Sequence, residues 1–295
     1  MSEPSILDGP RVIRGFFWRD ESNRVNNARP TIRYYEMIKL VEFWKSCDLS
    51  KPPFVHDADR PYIEAAKNVG KVILRSHRAF VEHPTFGDRN DSSLHLGLLP
   101  IPFQGNLSKA DVFIVLLNPG LGLSAYQTEE DKEHAEQVRL IIKQELANVP
   151  FPFLSLNPDY AWTGGFQWWE RKLRNVIELV AAGQCKGNYA EALRLLSQRL
   201  AAIELFPYRS RTFNAASLRS RLPSVREARD FVQRLLPRAK NGEVTIIVSR
   251  GIKSIGIDDH ELVNYDAKHA RGASLSLATP GGRAIVNALK LRPPQ

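Results

Sequence analysis

Cysteine is nearly absent from this 295-residue chain. Cys47 and Cys185 are its two thiols, so neither a disulfide framework nor a four-thiolate zinc or iron–sulfur site can be built from cysteine alone. A reducing compartment is the natural expectation. No apolar stretch approaches the ~18 residues of a membrane span, and the start, Met1-Ser2-Glu3-Pro4-Ser5, lacks a basic region followed by an apolar one. The chain is therefore expected to be soluble and cytoplasmic. His56, His77, His83, His95, His134, His260 and His269 form no HExxH or comparable cluster, which argues against a metal hydrolase. There is no internal repeat and no low-complexity segment. What is present is ordinary: 43% hydrophobic residues, enough for a substantial core.

Acidic residues are also in deficit, and the deficit is localised. Of the formal +9 charge, +7 falls between Phe206 and Lys240, where nine Lys/Arg meet only Glu227 and Asp230. That footprint suits a polyanion such as nucleic acid; a solvated helix face on a mildly basic protein accounts for it equally simply.

Hydrophobic spacing divides the chain at about residue 100. Thr31 to Ser46 and about Pro61 to Phe80 read as amphipathic helices, the second with Asp59 as N-cap and Pro61 near its first position. They define an N-terminal helical extension, residues 1–100. Leu94 to Ile101 reads as a strand or β-arm that Pro100 and Pro102 confine to an edge. Residues 101–295 then alternate strands with helices. Strands are expected at Val112 to Leu117, near Phe153 to Leu156, and at Ala202 to Phe206, Val244 to Ser249 and Ser274 to Ala278. Helices are expected at Glu129 to Ala147, Trp168 to Ala182, Tyr189 to Arg199, Val225 to Leu236 and Gly282 to Leu291. The near-continuous apolar runs at 112–117 and 244–248 predict strands covered on both faces, as in a parallel sheet. The expected fold is thus a three-layer α/β arrangement with a mainly parallel central sheet flanked by helices.

Two strand-end loops carry the chemical signal. The run Val112-Phe113-Ile114-Val115-Leu116-Leu117 stops at Asn118-Pro119-Gly120, and the last expected strand ends in Thr279-Pro280-Gly281-Gly282-Arg283. Open α/β sheets gather functional groups at strand carboxyl ends, and a following Pro-Gly turn fixes a polar side chain there. Gly120-Leu121-Gly122-Leu123-Ser124-Ala125 also matches a dinucleotide fingerprint, but a helix is expected where that motif needs its second strand, so no dinucleotide is expected.

Taken together, Leu117-Asn118-Pro119-Gly120-Leu121 and Thr279-Pro280-Gly281-Gly282-Arg283 resemble the two motifs of the uracil-DNA glycosylase superfamily, closest to its mismatch-specific branch. Ala201 to Arg209 resembles that family's middle strand and the polar turn after it. The resemblance covers roughly residues 100–292. It implies that Asn118 orients the water attacking the sugar carbon, and that Arg283 is the wedge entering the base stack. The second motif departs from the family pattern, with Thr279, Gly281 and Arg283 where His or Asn, Ser and often Leu are usual. A neutral Thr279 offers the leaving base only one hydroxyl donor, so Arg250 and Lys253 are candidates for positive charge.

Asp159 is a candidate general base, or simply an Asp stabilising a turn. Leu117, Pro119, Gly120, Leu121, Tyr126, Phe151, Phe153 and Asn157 are candidates for the base pocket. Trp162, Trp168 and Trp169 read as packing. Arg209, Arg211, Arg250, Lys253, Thr279, Gly281, Gly282 and Arg283 are candidates for DNA contact, and Arg219 and Arg221 also suit phosphates. The expectation is a monomeric DNA glycosylase without metal or cofactor, acting on double-stranded or single-stranded DNA and removing a modified or mismatched pyrimidine by base flipping. The divergent second motif and the long extension suggest a phage-modified cytosine and a role in antiviral defence. A non-catalytic nucleic-acid binder and a uracil or mismatch repair glycosylase stand as alternatives.

Overall fold

The computed structural model describes residues 39–249, 262–264 and 274–291. Its strands are β1 (Lys71–Val72), β2 (Leu94–His95), β3 (Phe103–Gly105), β4 (Val112–Leu116), β5 (Leu200–Glu204), β6 (Thr245–Val248) and β7 (Val263–Asn264). Five of them form one sheet in the order β3-β5-β4-β6-β7, with β3 antiparallel to β5 and every other pair parallel. β1 and β2 pair separately, also in parallel. The helices are α1 (39–45), α2 (Arg60–Ala65), α3 (His77–Val81), α4 (Ala125–Glu130), α5 (Lys132–Lys143), α6 (Gly164–Gln184), α7 (Tyr189–Arg199), α8 (Ala216–Arg219), α9 (Pro223–Lys240) and α10 (Pro280–Ala288).

Every residue of β4 is buried, as its unbroken apolar run predicts. Successive side chains leave a strand on opposite faces. Val112, Ile114 and Leu116 join a cluster with Leu173 and Val176 of α6, Leu193 of α7 and Ile285 of α10. Phe113 and Val115 join another with Val138 and Ile142 of α5 and Phe231 and Val232 of α9. The chain is thus mixed α/β, built on a mostly parallel sheet with helices packed against it.

The second cluster also takes in Leu40 and Trp44 of α1, Ile63 of α2, and Leu94, Leu96 and Leu99. The described residues before 100, 39–99, therefore share an apolar core with the sheet, and they are not mainly helical. The expected helix from Pro61 to Phe80 ends at Ala65 and resumes only at His77, because the intervening Lys71–Val72 pairs with Leu94–His95. Asp59 does stand at the N-cap position of α2, but its side chain makes no cap. It accepts instead from Tyr208 Oη at 2.6 Å and from the Ser224 N–H at 3.0 Å, pinning this segment to the chain beyond β5.

Other expectations shift in the same way. Of the strand expected over 94–101 only Leu94–His95 forms, and the edge strand of the main sheet lies at Phe103–Gly105, just past the two prolines, where the backbone can pair with β5. Gly105 has φ +91°, and a Cβ there would fall 2.3 Å from the Leu200 carbonyl oxygen, so this position requires glycine. Leu154–Leu156 is a 3₁₀ turn rather than a strand, and the expected helix over 129–147 is divided at Asp131, whose carboxylate caps α5 through the Glu133 and His134 N–H groups. Gly164 and Gly165 open α6, which begins four residues before the expected Trp168. Residues 274–279 form turns: Thr279 Oγ1 donates to the Ser274 and Ser276 carbonyls at 3.0 and 2.8 Å, and the strand beside β6 is Val263–Asn264.

Candidate active site

β4 stops where Pro119 removes a ladder donor and Gly120 turns with φ +63°. The backbone beyond β5 continues alongside, with Leu205 N–H donating to Leu116 O at 3.0 Å and Phe206 N–H to Leu117 O at 2.9 Å. This holds Asn118 at the carboxyl end of the sheet. Its Nδ2 donates to the Ser210 carbonyl at 3.3 Å and to Ser210 Oγ at 3.2 Å. Among the described residues Oδ1 accepts no hydrogen bond, so the amide is anchored by its nitrogen and its oxygen is available to a ligand or water.

Asn118 lines a cavity of about 410 Å³ at the ends of β4 and β5, walled by residues 116–122, the first turn of α6 and the inner side of α5. The size falls within the range of about 300–1,000 Å³ usual for small-molecule sites. Apolar lining comes from Leu116, Leu117, Pro119, Leu121, Phe103, Trp168 and Trp169, and polar lining from Gln104, Ser124, His134, Glu204, Arg209 and Arg211. Glu204 is the single carboxylate of this lining among the described residues. It ends β5 in register with Leu116 of β4, and is 4% exposed.

Two lining residues, Arg209 and His134, and Glu129, the ion-pair partner of Arg209, shape its electrostatics. Arg209 Nη2 lies 3.4 Å from Glu129 Oε1, and Glu129 also accepts from the Leu99 N–H at 3.0 and 3.1 Å. Burial pushes the Glu129 carboxyl above its ordinary range, against the pull of Arg209 and that N–H. Burial likewise lowers the Arg209 guanidinium, opposed by Glu129. His134 is pushed down to about 4, first by burial and then by the positive Arg209, so its ring is neutral near pH 7. Buried Arg209 Nε, Arg211 Nη1 and His134 Nδ1 have no hydrogen-bond partner among the described residues. Polar groups with displaced pKa values gathered around one cavity make this the candidate functional site.

His134 gives a stability test. Its folded-state value lies below the ordinary value near 6.5, so the unfolded chain binds more protons between pH 6.5 and 4, and stability falls as the pH drops through that window. The full loss is about 3 kcal/mol. His134→Gln is expected to flatten this part of the pH profile in urea unfolding, leaving a smaller slope from His95, which burial also lowers. An unchanged slope would refute the assignment.

The sequence candidates divide sharply. Asn118, Leu117, Pro119, Gly120, Leu121, Arg209 and Arg211 meet at the cavity. Asp159 does not: it is exposed on a 3₁₀ turn, outside the lining, with Asn157 Oδ1 accepting from its N–H at 3.1 Å. Asn157 is spent on that cap. Tyr126 is buried against Phe80, its Oη 3.1 Å from His95 Nδ1 in a chain that continues to Asp91 at 2.9 Å. Phe153 packs edge-on against Trp169 at 4.7 Å, and Phe151 packs on the same cluster. Arg209 is held in a buried ion pair instead of projecting from the surface.

None of Thr279, Gly281, Gly282 and Arg283 lines the cavity. Thr279 caps α10, Gly282 packs where a Cβ would come 2.0 Å from Ser276 O, and Arg283 Nη1 donates to Ala278 O at 2.8 Å. Arg250 and Lys253 lie outside the described residues.

Glu204, His134 and Gln104 escaped the sequence reading; Trp168 and Trp169 pack as expected, but their part in the cavity lining was not foreseen. Glu204 had a signal, a lone acid ending an apolar strand next to a polar turn. His134 and the tryptophans had none, because an amphipathic helix does not reveal which of its turns faces a cavity. The fingerprint around Gly120 leads into the six-residue α4 and then α5, without the strand that a dinucleotide site requires. No group of three or more His, Cys, Asp or Glu that could hold a metal occurs among the described residues, and no helix there is long and apolar enough to cross a membrane. No protein-family model, curated protein or solved structure matches the chain.

Proposed function

We propose that this chain is a DNA glycosylase of the uracil-DNA glycosylase type, hydrolysing the N-glycosidic bond of a flipped-out modified or mismatched pyrimidine. In this reading the sheet and its helices are the three-layer core of that superfamily. One observation carries the proposal: Asn118 lines a cavity large enough for a base at a strand end, tethered by its nitrogen to Ser210 with Oδ1 left to accept from water.

Glycosidic hydrolysis develops positive charge on the sugar and negative charge on the departing base. Asn118 Oδ1 orients a water toward the sugar carbon. As the new carbon–oxygen bond forms, the water's proton passes to the Glu204 carboxylate and the sugar–base bond breaks, its electron pair leaving with the base. Arg211 and Arg209 face that pair and lower its energy, and solvent then protonates the released base. Glu204 takes the general-base part that the exposed Asp159 cannot fill. The basic surface beyond, including exposed Arg226, suits phosphate contacts; Arg221 there lies over the Tyr62 ring at 5.6 Å.

Duplexes bearing uracil, a thymine mismatch or glucosylated hydroxymethylcytosine, incubated with the protein and treated with alkali, are expected to break at one or more of these bases. Breakage at uracil alone would confine the enzyme to repair and remove the modified-base, antiviral version; no breakage anywhere would defeat the proposal. On the accepted substrate, Glu204→Gln is expected to slow single-turnover release about 100-fold and to erase the acid limb of the pH–rate profile. An unaltered limb would show that Glu204 is not the base.

A further inference from the structure

Asp91, His95 and Tyr126 are buried and form a hydrogen-bonded chain that joins the two segments meeting at Asn118. His95 Nε2 lies 2.9 Å from Asp91 Oδ2, and His95 Nδ1 lies 3.1 Å from Tyr126 Oη. The His95 and Asp91 side chains are 0% and 4% exposed. Tyr126 stands in the first turn of α4, directly after the cavity-lining Ser124 and Ala125. Asp91 and His95 grip the facing segment through their main chains: the His95 N–H donates to Arg209 O, and the Thr212 N–H donates to Asp91 O, both at 2.9 Å. Between those two bonds lie Ser210, which receives the Asn118 amide, and Arg211, which lines the cavity.

We infer that Asp91, His95 and Tyr126 are positioning residues, a frame that fixes the 209–212 segment against the 118–126 segment and so sets the orientation of Asn118. None of the three lines the cavity, so they act through Ser210 and not on a ligand. The bonds from Asn118 Nδ2 to Ser210, at 3.2 and 3.3 Å, are at the long end of the useful range, and a slip of about half an ångström would break them. The frame opposes that slip. Its bonds run in one direction: burial lowers His95 below its ordinary value, and the His95 and Ser93 hydrogen bonds hold the Asp91 carboxyl below its usual range in spite of burial. A neutral ring beside an ionised carboxylate donates from Nε2 and leaves Nδ1 to accept from Tyr126 Oη. Glu129 of α4 adds a further tie, but to the Arg209 guanidinium and not to the backbone around Ser210. The placement holds whatever the cavity turns over; its kinetic consequence rests on the glycosylase reading.

The test reads Asn118 directly. In nitrogen-labelled protein, magnetic resonance gives the Asn118 side-chain amide its own pair of signals, identified by their loss in Asn118→Ala. Asp91→Ala is expected to shift that pair and speed its hydrogen exchange about tenfold. It is also expected to slow single-turnover release about 10- to 100-fold, with the half-saturating DNA concentration within about threefold. Asp91→Asn can still bond the His95 ring, whose other tautomer donates onward to Tyr126 Oη, and is expected to bring both readouts to within about threefold of the parent. Tyr126→Phe deletes one oxygen and keeps the packing, so it must move the same signals even where Asp91→Ala fails to fold. A core truncation on the far face of the sheet, Leu193→Ala, is expected to lower the melting temperature without moving them. Unmoved signals in Tyr126→Phe would overturn the inference, as would equal movement in Leu193→Ala. Moved signals with no base release from any chain would uphold the frame and remove the glycosylase reading.

Discussion

Asn118→Ala is expected to lower single-turnover base release by about 100- to 1,000-fold while duplex affinity stays within about threefold. The split follows from how the amide is held. Its Nδ2 is fixed by Ser210, so Oδ1 keeps one position, and in the proposed reaction the water it accepts from is placed before the bond begins to break. Alanine removes both the tether and the acceptor, but leaves the proposed phosphate contacts untouched. Asn118→Asp sharpens the test. A carboxylate can still accept from water, yet it cannot donate to the Ser210 carbonyl and places like partial charges against it. It is expected to retain more activity than alanine but less than the parent. Base release from Asn118→Ala at the parental rate would remove Asn118 from the chemistry.

Arg209→Ala is expected to destabilise the protein by about 3–5 kcal/mol, the usual result of removing one partner of a buried ion pair. A phosphate-contacting arginine on the surface would behave differently, weakening DNA binding with little change in stability. Burial already holds the Glu129 carboxyl above its ordinary range, and without Arg209 that displacement grows. A carboxyl raised on folding favours the folded state while protonated and opposes it once ionised, so the deficit of the variant should shrink as the pH falls. Glu129→Gln/Arg209→Met keeps an acceptor for the Leu99 N–H without leaving a bare charge, and is expected to recover much of the loss. Urea unfolding at several pH values measures all three chains. A loss under 1 kcal/mol in Arg209→Ala would show that the pair is solvated and available to DNA.

Legibility in the sequence followed local chemistry. The unbroken apolar run of β4 announced a strand covered on both faces. The bounds of α7 could be read at both ends, because Asn188 caps it and Arg199 meets the next strand. The place of Asn118 at the end of that strand was legible because a Pro-Gly turn after such a strand is visible in one stretch of chain. The misplaced elements depend on distant partners. Lys71–Val72 is extended only because Leu94–His95 lies beside it, and residues 274–278 are bent by the Thr279 hydroxyl. The site failed in the same manner. Tyr126 and Phe153 have the right composition and neighbourhood for stacking on a base, but the contacts that bury them come from Phe80 and Trp169. Glu204 and Asn118 are far apart in sequence and become neighbours only when β4 and β5 pair.

Gly105 bears on how the molecule behaves among its own copies. A sheet ends in a row of open backbone groups that can recruit a strand from another chain. Here the terminal strand closes part of that row within the molecule: the Gly105 N–H donates to Pro152 O at 2.9 Å, and its carbonyl accepts from Gln144 Nε2 at 3.0 Å. Only a residue without a Cβ lies close enough to Leu200 for both bonds to form. With both groups of this glycine engaged inside the molecule, less open backbone is left at that margin for a strand from another copy to pair with.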